Sequence, residues 1–243
     1  MKKSIGILGG MGPMATVDLF KKVVANTLAG SDREHIRIYI DNNAQIPDRT
    51  AAILDGGEDP VPAMLESLRK LEGCGADCVI VPCNTAHYFV PRLQAQTETP
   101  ILNMIEETAK ACATELPGKV AGLLGTTGTL KTGLYNHALR GADVDYILPD
   151  EDCQQALMRV IYDGVKADAD QESYRADMEF VLKTMSAQGA QYFILACTEL
   201  PLAFEALRLP QTAVDPTLVL ARAAIRFCGY QTGNLLETPK IKL

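Results

Sequence analysis

Along this chain, short runs of consecutive apolar residues alternate with longer stretches whose apolar positions recur every three or four residues. The short runs are SIGILG (4–9), IRIYID (36–41), CVIVPC (78–83), PILNMI (100–105), VAGLLG (120–125), DVDYIL (143–148) and YFILAC (192–197), with a weaker TAVD at 212–215. Several are apolar on successive residues, the pattern of strands covered on both faces in a parallel sheet. The stretches 60–73, 105–115, 151–166 and 171–188 are amphipathic at helical spacing. Strands alternating with helices predict an α/β fold.

The pattern also repeats once. GILGGMGPMAT (6–16) and GLLGTTGTLKT (122–132) each read as strand, Gly-rich turn and helix, and VIVPCNTAHYFVP (79–91) and FILACTELPLAF (193–204) each read as strand, Cys, small polar residues and helix. Gly10 precedes Cys83 by 73 residues, and Gly125 precedes Cys197 by 72. Order and spacing recur together, which predicts two similar α/β halves. The first spans 1–102 and is completed by a C-terminal helix within 211–243 that starts at Asp215-Pro216. The second spans 103–210.

Composition narrows the function classes. A chain of 243 residues buries roughly 70–75% of its unfolded surface, so it needs no disulfide or metal staple. Its net charge of −7 argues against a nucleic-acid partner. Any anionic ligand must then be held by a few placed cations. The apolar run at the start is broken by Gly9-Gly10, too short for a signal peptide or a membrane span. Seven irregularly spaced cysteines do not form a disulfide framework, and the expected setting is the reducing cytoplasm.

Among those cysteines, Cys74, Cys78, Cys112, Cys153 and Cys228 have no polar company and read as small buried hydrophobes. No His or Cys cluster completes a zinc site around Cys74, Cys78 and Cys83. Cys83 and Cys197 differ, because each lies where a strand ends and a helix begins. Open α/β sheets place ligands there, and a helix N-terminus favours the thiolate. Two such thiols from two repeated halves imply a site in the cleft between them, approached from opposite sides. Inversion at a carbon acid needs that arrangement: one thiolate removes the α-proton and the opposing thiol delivers another. Asn84, Thr85, Thr126, Thr127 and Thr198 are the candidate donors around the substrate carboxylate.

The segments GGMGPMAT, PCNTAH, the Gly125-Thr126-Thr127-Gly128 turn and ACTELP resemble the aspartate/glutamate racemase superfamily from residue 5 to about 217. The resemblance implies two pseudo-twofold-related domains, each a mostly parallel sheet flanked by helices. It also implies catalysis by two cysteines with no cofactor and no metal, and a homodimer. Met11-Gly12 in the first turn and Glu199 after the second Cys-Thr are similar to the aspartate branch rather than the glutamate branch. By the same resemblance Arg49, in NNAQIPDRT (42–50), and Lys166, in IYDGVKAD (161–168), hold the side-chain carboxylate. Arg grips a carboxylate with two parallel bonds and Lys adds a point charge. Met11 is a pocket-lining candidate, and Asp48 and Glu199 have supporting roles. The family similarity favours Cys197 acting on the L enantiomer and Cys83 on the D enantiomer. His87, one turn after Cys83, stays outside the catalytic set.

The expected activity is therefore interconversion of L- and D-aspartate. Competing readings are a racemase of relaxed specificity (glutamate or homoserine), a hydantoin-type racemase, and an amino-acid-binding regulatory protein. A nicotinamide oxidoreductase is a further competitor, resting on Gly10-x-Gly12-x-x-Ala15 and Asp41.

Overall fold

A computed structural model describes residues 2–233. The chain runs β1 (Ile5–Gly9), α1 (Pro13–Asn26), β2 (Ile38–Asn42), α2 (Arg49–Leu54), α3 (Val61–Gly73), β3 (Cys78–Ile80), a 3-10 turn (Thr85–Tyr88), α4 (Val90–Gln94) and α5 (Met104–Glu115). It continues through β4 (Ala121–Gly125), α6 (Thr127–Lys131), α7 (Leu134–Gly141), β5 (Tyr146–Ile147), α8 (Glu151–Arg159), a π-helical turn (Val160–Val165) and α9 (Gln171–Ala187). The last elements are β6 (Tyr192–Ala196), α10 (Leu200–Leu207), β7 (Ala213–Val214) and α11 (Pro216–Phe227). Among the described residues no helix is long and apolar enough to cross a membrane.

Two compact units emerge. One contains the described residues up to Glu107 together with those from Thr217 onward; the other is Thr108–Pro216. The chain thus passes between units inside α5, a few residues later than the join at 102–103 read from the repeat. The C-terminal segment assigned to the first half reaches 243, and its residues 234–243 lie outside the described residues.

The sheets have matching orders. The first is β2-β1-β3 and the second β5-β4-β6-β7, with every pairing parallel. In the first unit Ile101 makes a parallel bridge with Val79, the place that β7 takes beside β6. Burial on both faces explains the continuous apolar runs. Ile5 and Ile7 of β1 pack with Leu19 and Val23 of α1 and with Leu220, Ala224 and Ile225 of α11. Leu8 faces the other way, onto Met64, Leu68 and Leu71 of α3. In the second unit Phe193 and Leu195 of β6 pack with Leu157 of α8 and with Met178 and Leu182 of α9.

Four local expectations need correction. PILNMI does not extend into a strand, because the Asn103 side-chain Oδ1 accepts the N–H groups of Ile105 at 3.0 Å and Glu106 at 3.3 Å. That cap starts α5 at Met104. DVDYIL pairs only at Tyr146–Ile147, since Asp143 sits at φ 56°, in the left-handed region where no strand can run. The helix over 151–166 changes to a π-helical turn at Val160, with Gly164 against the Tyr174 ring. Cys74 is exposed rather than buried. It follows the end of α3 in a surface turn closed by the Gly75 N–H on the Glu72 carbonyl at 2.8 Å. The other four cysteines read as hydrophobes are buried with free thiols.

Candidate active site

In the first unit the Gly-rich turn is shaped by backbone crowding. Gly10 adopts φ +95°, and a Cβ there would lie 2.2 Å from the Asn43 carbonyl in the loop after β2. Its N–H donates to the Thr16 hydroxyl at 2.9 Å, which ties the turn to the first turn of α1. Gly12 precedes α1 with extended backbone that any residue adopts. The spacing behind the dinucleotide reading is thus accounted for by one close approach.

That loop carries the first predicted cation. Asp48 caps α2, its carboxylate accepting the Ala51 N–H at 2.8 Å, and so orients the loop. The adjacent Arg49 donates through Nη1 to the carbonyls of Ile46 at 3.1 Å and Pro47 at 2.9 Å. Its Nε is buried without a hydrogen-bond partner. Met11 is a core side chain, packed in the same apolar cluster as Ile46 and Cys83.

Cys83 follows β3 and is 7% exposed, in a tight bend where its N–H donates to the Val81 carbonyl at 2.9 Å. Asn84 and Thr85, both buried, open the 3-10 turn. His87 fixes this bend. The Met104 N–H donates to its Nε2 at 3.1 Å, so the ring proton sits on Nδ1, which donates to the Cys83 carbonyl at 2.8 Å. Burial pushes the imidazole down to about 4, the Cys83 carbonyl offsetting this only in part. His87 is thus a neutral core bridge between the Cys83 bend and the start of α5.

A pH prediction follows from this bridge. His87 must fold neutral, and between its ordinary 6.5 and about 4 the unfolded chain binds the extra proton. Its contribution is complete above pH 6.5 and is lost as pH falls to about 4, a total of about 3 kcal/mol. In urea unfolding, the stability difference between wild type and His87→Gln is expected to shrink by that amount from pH 7 to pH 4. A difference independent of pH would refute the neutral bridge.

In the second unit Thr126 caps α6 and accepts the Thr129 N–H at 3.1 Å. The Thr127 hydroxyl accepts from Gln154 Nε2 at 3.2 Å, and the same amide group donates to the Gly125 carbonyl at 3.1 Å. The Thr127 N–H reaches the Met158 sulfur at 3.4 Å. Gln154 and Met158, one turn apart on α8, brace the turn. The sequence offered no signal for them beyond the predicted helix.

Cys197 follows β6 and is 7% exposed. Its thiol donates to Glu199 Oε2 at 2.9 Å, and the Thr198 hydroxyl donates to the same oxygen at 3.2 Å. Burial pushes the thiol well above its ordinary range, and the Glu199 carboxylate pushes it further; Lys166 acts in the opposite sense. Lys166 ends the π-helical turn, with Nζ 4.3 Å from the centre of the Tyr162 ring. The second unit therefore gathers Cys197, Thr198 and Glu199, with Lys166 in electrostatic reach. The first gathers Cys83 and Met11 in one cluster and places Arg49 beside Ile46 of that cluster. Among the described residues no group of three or more His, Cys, Asp or Glu is placed to hold a metal ion.

Known proteins share the sequence pattern and the two-sheet α/β fold. The model of the Asp/Glu/hydantoin racemase family matches residues 8–224. The aspartate racemase of Picrophilus torridus is 32% identical, with a TM-score of 0.84, over 99% of this chain and 100% of that one. The broad specificity amino-acid racemase RacX of Bacillus subtilis is 29% identical over 94% of this chain and all of its own length. The glutamate racemase of Francisella tularensis, solved with D-glutamate, shares the fold with a TM-score of 0.65 at 16% identity, over 93% of this chain and 81% of its own. The chain belongs to the Asp/Glu/hydantoin racemase family and is an isomerase, an amino-acid racemase.

Proposed function

We propose that this racemase interconverts L- and D-aspartate without a cofactor, with Cys83 and Cys197 as its two acid/base groups. The observation that carries the mechanism is the repeated placement of a buried cysteine just past equivalent strands of the two sheets, Cys83 three residues beyond β3 and Cys197 directly after β6. Stereoinversion requires the two sulfurs to reach opposite faces of one α-carbon, one as thiolate and the other as thiol. The carbanion formed between the two transfers needs hydrogen-bond donors at its carboxylate. Asn84, Thr85, Thr126 and Thr127 are assigned that role, with Thr198 acting through its backbone N–H because its hydroxyl donates to Glu199.

Arg49 supports the acidic substrate. Its Nη1 is committed to the loop while its buried Nε has no partner. An unmet guanidinium N–H is costly, and a carboxylate is its best acceptor. Lys166 supplies the second cation, and Met11 packs behind Cys83. We assign the protein to a homodimer on the likeness to its family.

Proton NMR in D₂O tests the reading. The purified, reduced protein with no added cofactor is expected to remove the α-proton signal of L-aspartate while D-aspartate accumulates on a chiral column. Glutamate and homoserine are expected to react at least about tenfold more slowly, since each misplaces or lacks the second carboxylate. Equal rates on all three would replace aspartate with the broad specificity printed for RacX. Aspartate binding without exchange would make the protein a binding protein.

A further inference from the structure

We propose that Glu199 is the proton partner of Cys197, holding the thiol in the resting enzyme and taking its proton when Cys197 serves as the base. The inference rests on the reading of Cys197 as one of the two acid/base groups. It arises from a geometry that a structural N-terminal glutamate does not need. The carboxylate oxygen lies 2.9 Å from the Cys197 sulfur and also accepts the Thr198 hydroxyl. Both Cys197 and Glu199 are buried, at 7% and 8% exposure.

A thiolate beside an ionised carboxylate would place two negative charges in contact in a poorly solvated site. Two buried anions at hydrogen-bond distance share one proton rather than ionise together. The S–H bond breaks, an O–H bond forms on Glu199, and the pair keeps one proton and one negative charge throughout. The Cys197 thiolate then takes the substrate α-proton, the C–H electron pair remaining on carbon, and the Cys83 thiol protonates the opposite face. The pair now holds two protons and Cys83 none. Release of the Glu199 proton and reprotonation of Cys83 restore the start.

The groups acting on Cys197 are the Glu199 carboxylate, opposed by the Glu199 backbone N–H and by Lys166 from the end of the π-helical turn, while the Thr198 hydroxyl holds the same carboxylate oxygen. Lys166 is exposed, with its ammonium over the Tyr162 ring, and its charge acts on Cys197 in the sense opposite to the carboxylate. A proton held internally on Glu199 frees Cys197 from having to lose one to solvent before it can act.

Enantiomers have equal free energy in water, so kcat/KM must be the same for L- and D-aspartate at every pH. The test therefore reads kcat and the thiol itself. In protein labelled with carbon-13 at the cysteine β-carbon, the Cys197 resonance, assigned by its loss in Cys197→Ala, reports thiol or thiolate directly. Glu199→Gln is expected to bring thiolate formation down by about one pH unit or more. It should also lower kcat at neutral pH by about 100-fold, with activity rising toward alkaline pH where wild type is flat. Glu199→Asp, which keeps the carboxyl group, is expected to recover part of kcat.

An unchanged Cys197 titration in Glu199→Gln, or a kcat within about threefold of wild type, would overturn the proposal. So would Glu199→Asp being no better than Glu199→Gln, with melting temperatures showing both folded. The titration reads the pair whether or not aspartate is the substrate, so failure of the two-cysteine reading would be seen separately, in the activity of Cys197→Ala.

Discussion

Cys83→Ala and Cys197→Ala are each expected to lower the rate of aspartate inversion by roughly 10⁴-fold, the upper end for loss of a positioned acid/base group. Inversion needs a base on one face of the α-carbon and an acid on the other, so either loss stops it. The two variants should nonetheless differ in D₂O. A remaining thiolate can remove and return the proton on its own face, exchanging one enantiomer with retention. With Cys197 serving the L enantiomer, Cys83→Ala should exchange only L-aspartate and Cys197→Ala only D-aspartate. The reverse pattern would swap the assignment. Near-wild-type inversion in either variant would end the two-base reading, and both cysteines are small enough that alanine leaves little cavity.

Arg49→Gln is expected to lower kcat/KM for aspartate by about 100-fold, the effect of removing a charge-assisted pair of hydrogen bonds. The control is built into the structure. Arg49 also donates to the carbonyls of Ile46 and Pro47, so its loss could act by loosening the loop. A loop effect would slow every substrate alike. A carboxylate effect should spare homoserine, which has no side-chain charge, and leave its rate within about threefold. Equal losses on aspartate and homoserine would make Arg49 a structural residue. Arg49→Lys should recover little, because an ammonium cannot offer two parallel bonds.

Much of this architecture was legible before any coordinates. Consecutive apolar residues in SIGILG and YFILAC predicted strands covered on both faces, and Ile5, Ile7 and Leu8 are buried on opposite sides of β1. The recurrence of Gly-rich turn and cysteine at the same spacing predicted two equivalent sheets, and their strand orders match. The local failures share a cause. PILNMI and DVDYIL are apolar enough for strands, but one side-chain cap at Asn103 and one left-handed residue at Asp143 ended the extension. Periodicity averages over a window, whereas a cap or a positive φ acts at a single residue.

For the proposed site, the sequence by itself offered candidate residue types and their order: a cysteine past the equivalent strand of each half with hydroxyls and an amide beside it, and, through the family resemblance, Arg49 and Lys166 as cations for the side-chain carboxylate. Only the tertiary structure decided how those groups are held. It made His87 a neutral bridge that joins the Cys83 carbonyl to the N–H of Met104, which lies 17 residues after His87. It brought Gln154 onto the turn at Gly125 and Thr127, 29 and 27 residues back along the chain. It also turned Glu199 from a helix-start acid into a hydrogen-bond acceptor for the Cys197 thiol. Spacing along the chain encodes which residues share a strand end or a helix face. Partners distant in sequence, and the burial that sets a proton's affinity, exist only once the elements have packed.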